Sequence, residues 1–134
     1  MTRYARLNLL AMAGLPAAAS LAALWVFGPR ADTLAAVAGM NLLVMLAAGL
    51  FAALLLRAVN APDRLAAGIA LAPAVIPALA GSAWYLWRAL RPEEVAPGRE
   101  YLAGPQYLLL LAVALWILAW AAGRLLRAVR CRGA

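Results

Sequence analysis

Carboxylates are the first side chains in this sequence to weigh as a site, and four of the five fall in two short polar stretches. Asp32 lies in GPRADT; Glu93, Glu94 and Glu100 lie in RALRPEEVAPGREYLAGPQ. A Glu–Glu pair is a ligand set for a hard cation. Here it is flanked by Arg91 and Arg99 in a Pro/Gly-rich connection, which reads instead as a solvated surface. Histidine is absent and Cys131 is the only cysteine, so the chain has no imidazole base, no internal disulfide and no cysteine cluster for metal. The long apolar stretches contain no Asp, Glu or Arg, so the intramembrane ionisable group of a proton-coupled carrier is missing. These residues predict a protein that is not an enzyme and that uses no cofactor.

Polar residues within the apolar stretches are few. Ser20 precedes the outer end of its stretch by seven residues, Asn41 follows the start of its own by seven, and Ser82 precedes the next end by five. At about 1.5 Å per residue these positions form one layer roughly 7–11 Å below a common boundary. They are expected to hydrogen-bond between helices, with contact to a ligand or ion as the alternative. Trp84, Trp87, Arg88 and Arg91 fall on one helical face at spacings of three, four and seven. Rings and guanidinium groups in that arrangement grip lipid phosphates, or line a site for an amphiphile such as a quinone or lipid.

The elements that carry these residues follow from composition. The sequence is 68% hydrophobic, against about 45–50% for a soluble domain, and a small soluble fold cannot bury so much apolar area. A hydrocarbon core about 30 Å thick needs about 20 apolar residues in helix. Four stretches qualify, at about residues 7–27, 34–56, 65–87 and 102–122. The predicted fold is an all-α integral membrane domain over residues 1–134, an up-down antiparallel bundle of four transmembrane helices. The start, RYAR followed by LNLLAMAGLPAAAS, has features of a signal peptide. LAALWVFG then prolongs the apolar run past the cleavage-like Ala19, so an uncleaved first helix is expected.

Arginine is the only base, and it is unevenly distributed. Arg3, Arg6, Arg57, Arg64, Arg124, Arg127, Arg130 and Arg132 share one side of a four-span chain; Arg30, Arg88, Arg91 and Arg99 share the other. The positive-inside rule puts both termini in the cytoplasm. The composition, rich in Ala, Leu and Gly with Arg in place of Lys, points to a bacterial inner membrane. The tail over residues 123–134 places Leu125, Leu126 and Val129 on one arc and arginines on the other. It is expected to lie on an anionic inner leaflet, with Arg124, Arg127, Arg130 and Arg132 attracted at about 1 kcal/mol each. The partner is lipid, not nucleic acid.

The third stretch, LAPAVIPALAGSAWYLWRAL, contains two prolines one turn apart. Each lacks an N–H, so the carbonyls of Ile69 and Pro73 lose their helical donors, which a membrane helix tolerates as a kink. Ala66, Ala70, Pro73, Pro77 and Gly81 share one face and are predicted to pack closely against another helix. Leu71, Val75, Leu79 and Leu86 are predicted to face lipid. Small residues four apart recur as Gly14/Ala18, Ala35/Gly39, Gly49/Ala53 and Ala119/Gly123. They point to close contacts within the bundle, or with another membrane protein or a second copy. Two functions follow as expectations: an accessory, assembly or toxin-immunity protein acting by helix association, or a small homo-oligomeric channel or carrier gated by helix three. Lipid or quinone handling is the third.

Overall fold

Four helices account for almost the whole chain in the computed structural model, which describes residues 2–59, 63–91 and 99–133. They are α1 (Arg3–Phe27), α2 (Ala31–Arg57), α3 (Arg64–Leu90) and α4 (Arg99–Arg132). All four are long and apolar enough to cross a membrane. Each begins or ends further out than the apolar stretches by themselves indicate, and side-chain caps open α1 and α3. The Ala5 N–H donates to Thr2 Oγ1 (3.2 Å) at the start of α1. Asp63 Oδ1 accepts from the N–H groups of Leu65 and Ala66 at the start of α3. Side-chain acceptors here satisfy amides that have no partner within the helix. Asp32 in the first turn of α2 and Arg57 in its last turn complement the helix dipole. Gly28 ends α1 at φ 78°, a left-handed backbone that glycine adopts without strain.

The tail is the largest departure from the expected bounds. It does not form a separate surface segment: α4 runs unbroken for 34 residues to Arg132, about 51 Å at 1.5 Å per residue.

α3 packs against all three other helices. The backbones of α1 and α4 each come close to those of α2 and α3 but not to one another among the described residues. This explains why the buried arc of α3 is wide, taking in Ala67, Ala70, Leu71, Pro73, Ala74, Pro77, Ala78, Gly81, Tyr85 and Ala89. Leu71 is therefore not lipid-facing as its position on the helical wheel implied; it is only 6% exposed, whereas Leu79 is 67% exposed. With three neighbours, a helix has less than half its circumference left for lipid.

The interior is built mainly of alanine. Ala19, Ala23, Ala48, Ala52, Ala74 and Ala112 are completely buried around Leu15, Met45 and Tyr85. Small side chains let the backbones approach closely enough for dispersion contacts to accumulate. A Cβ added at Gly81 would lie 2.6 Å from Leu15 Cδ1 on α1 and 2.8 Å from Leu108 Cδ1 on α4. One added at Gly104 would lie 2.6 Å from the Tyr85 hydroxyl. Met12 of α1 covers Gly49 of α2 in the same way. Phe51 and Trp116 stack at 4.7 Å between α2 and α4.

Gly81→Leu should therefore overpack a site with no free volume and lower stability by about 1–3 kcal/mol. Leu79→Ala should be nearly silent, since lipid refills the space. Unfolding midpoints in detergent check both; equal tolerance would mean that α3 has been assigned the wrong packing side.

Candidate functional site

The residues singled out on α3 do come together, but against their own chain. Ala70, Pro73, Pro77 and Gly81 are buried and Ala66 is half-buried, and the atoms facing Gly81 belong to α1 and α4. The face predicted to pack closely against another helix meets helices of its own chain at Gly81. Gly14, Gly39 and Gly123 behave differently from Gly49 and Gly81. A Cβ at any of those three would meet nothing within 4 Å.

The polar layer also bonds differently from its expected role. Ser20 Oγ donates to the Pro16 carbonyl of its own helix at 2.7 Å. Asn41 Nδ2 donates to the Val37 carbonyl at 2.9 Å, again within one helix. Neither bond joins two helices. A side chain four residues on from a helical carbonyl reaches it without any tertiary partner. Ser82 is half-buried. Asn41 is completely buried, and its Oδ1 has no hydrogen-bond partner among the described residues.

The amide that does cross between helices is Asn8, which spacing arguments passed over. It lies near the N-terminal end of α1 and its Nδ2 donates to the Gly49 carbonyl of α2 at 3.1 Å. The signal available in the sequence was an amide in an apolar span, opposite a glycine that leaves a backbone carbonyl within reach.

At the other end, the four-residue cluster divides. The guanidinium carbons of Arg88 and Arg91 each lie 5.7 Å from the Trp87 ring centroid, a cation–π arrangement at a half-exposed ring. Trp84 turns inward to the core cluster, against Tyr85. Glu93 and Glu94 lie outside the described residues, as do the side chains of Arg99 and Glu100. Among the described residues no three metal-ligating side chains meet.

The arginines of the tail have separate roles. Arg124 lies 5.0 Å over the Trp120 ring. Arg130 forms an ion pair with Asp63, the same carboxylate that caps α3, so one side chain joins the ends of two helices. Arg127 lines a cleft beside that pair, and Arg132 is exposed. The hydrogen bond from Arg130 holds the Asp63 carboxyl below its ordinary range; partial desolvation opposes it, and the Ala66 and Leu65 amides reinforce it. A depressed folded-state value means that the contribution of this contact is complete above the unfolded carboxylate value of about 4. It is lost only as pH falls through the lower folded value, so the pair is intact at neutral pH.

Two clefts flank Asp63. One, of about 430 Å³, lies between α2, α3 and α4; the other, of about 410 Å³, lies between α1, α2 and α3. Both are lined mainly by apolar side chains, with a few polar groups at one end.

Because Asn41 bonds only within α2 and buries an unpaired oxygen, Asn41→Leu should leave stability unchanged or raise it by about 1 kcal/mol. Asn8→Leu should lower it by about 0.6 kcal/mol, up to ~1.7. Denaturation in mixed micelles separates the two; a clear loss for Asn41→Leu would reveal an interhelical bond at that amide.

No protein-family model matches the chain, and no curated protein and no solved structure matches it either.

Proposed function

We propose that this chain is a non-catalytic, multi-pass protein of a bacterial inner membrane that acts by associating with another membrane protein or with a second copy of itself. The observation that carries the reading is on α1. Leu10 and Leu21 are exposed, at 68% and 62%, and between them on the same face lie Gly14 and Ala17, also exposed. Leu7, Leu9 and Leu24 of the same helix are exposed as well. A glycine–alanine notch between leucine ridges is the shape that lets a second helix approach closely. A Cβ added at Gly14 would meet nothing within 4 Å, whereas Gly49 of α2 and Gly81 of α3 are covered.

The helices form an up-down bundle in this proposal, with α3 bent at Pro73 and Pro77 and both termini in the cytoplasm. Several pairings support alternating directions: Asn8 with Gly49, Phe51 with Trp116, and Asp63 with Arg130. The two missing donors support the bend. Arginine asymmetry supports the orientation. The transport alternative draws no comparable support. The buried polar side chains among the described residues are Asn8 and Asn41, and their amide groups donate to backbone carbonyls of the protein itself.

The test uses cysteine and leucine variants in a Cys131→Ser background. Cysteines at Thr2 and Gly133 should resist a membrane-impermeant thiol reagent in intact cells, and one at Pro29 should react. Co-purification of two differently tagged copies, or cross-linking to a membrane neighbour, should be lost in Gly14→Leu while the unfolding midpoint is unchanged. Association that survives Gly14→Leu would remove α1 as the docking face, and solute flux through vesicles holding the purified protein would refute the non-transport reading.

A further inference from the structure

We infer that the cleft between α2, α3 and α4 is a discrete site for one anionic phospholipid, distinct from general attraction of the tail to a leaflet. Its volume is about 430 Å³, within the usual range of about 300–1,000 Å³ for small-molecule sites. Along α4 its wall runs from Ala119 to Cys131, about 18 Å at 1.5 Å per residue, the length scale of an acyl chain. The deeper wall is apolar, formed by Leu55, Ile69 and Ala119; the shallow end carries Asp63, Arg127 and Arg130.

The charge balance selects the headgroup. Asp63 answers Arg130, so that pair contributes no net charge. Arg127 has no ion pair among the described residues, which leaves the mouth with one uncompensated positive charge. A phosphate with no cation of its own complements it, and a zwitterionic headgroup does so less well. Trp120 also lines the cleft and is half exposed, so it can report an acyl chain that enters. The Asp63–Arg130 pair fixes the two helix ends that form the mouth, so the site is held open by the fold.

The experiment reconstitutes the full chain in phosphatidylcholine vesicles containing a small fraction of brominated lipid. The Trp120 signal is taken as the difference between the protein and Trp120→Phe. Brominated phosphatidylglycerol should quench Trp120 about fivefold more effectively than brominated phosphatidylcholine, the ratio given by about 1 kcal/mol for one arginine at the surface. Arg127→Gln should abolish the preference with the cleft intact. Gly123→Leu should abolish it with every charge intact: Gly123 lines the cleft, and a Cβ there meets nothing within 4 Å, so the added side chain fills the site without disturbing the bundle. Equal quenching by the two lipids overturns the proposal. So does a preference that survives Gly123→Leu, which would leave only general attraction of the tail to anionic lipid. Neither result depends on whether α1 mediates association.

Discussion

Close approach of helices at α3 is the constraint on which the rest of this structure depends. In hydrocarbon a leucine gains little by leaving acyl chains for another helix, so the hydrophobic effect does not hold the bundle together. Short-range dispersion must do so, and it needs side chains small enough to bring backbones together. α3 meets that need on three sides with alanine, glycine and two buried prolines. Leu15 and Leu108 occupy the space above Gly81, so α1 and α4 are registered through the same residue of a third helix.

Backbone satisfaction is the accompanying constraint. Every N–H and C=O in the hydrocarbon must find a partner within the protein, which favours continuous helices even through Pro16, Pro73, Pro77 and Pro105. It also limits what polar side chains do. Ser20 and Asn41 return to carbonyls one turn back, and Asn8 reaches another helix. Charge is confined to the helix ends, where Asp63 both caps α3 and binds Arg130. That double use keeps the last turns of α4 beside the start of α3 and shapes the two adjoining clefts.

The functional readings draw on different surfaces. The outward notch at Gly14 concerns what the helices meet within the bilayer; the cleft beside Arg127 concerns what they hold at its edge. Both are positions where the chain's own packing leaves space. That distinguishes them from the part of the α3 face around Gly81, which Leu15 and Leu108 cover.

The sequence by itself determined four apolar spans, the polar connections between them, the absence of imidazole and the grouping of arginine at span ends. Each follows from composition along one dimension: a helix must be about as long as the hydrocarbon is thick, and charge must stay out of it. A helical wheel also identified which side of α3 carries small residues. It did not reveal that three helices would cover α3 and bury Leu71, because the number of neighbours is a property of the assembled bundle. Nor did it reveal the partner of Asn8, since the Gly49 carbonyl is 41 residues away along the chain. The Asp63–Arg130 pair spans 67 residues and depends on α4 continuing as helix beyond its apolar stretch. The tail's amphipathic pattern is equally compatible with a segment lying on lipid. Tertiary structure decided between them, because the carboxylate at the α3 cap pairs with Arg130 of the continuous helix, and that contact exists once the two ends are side by side.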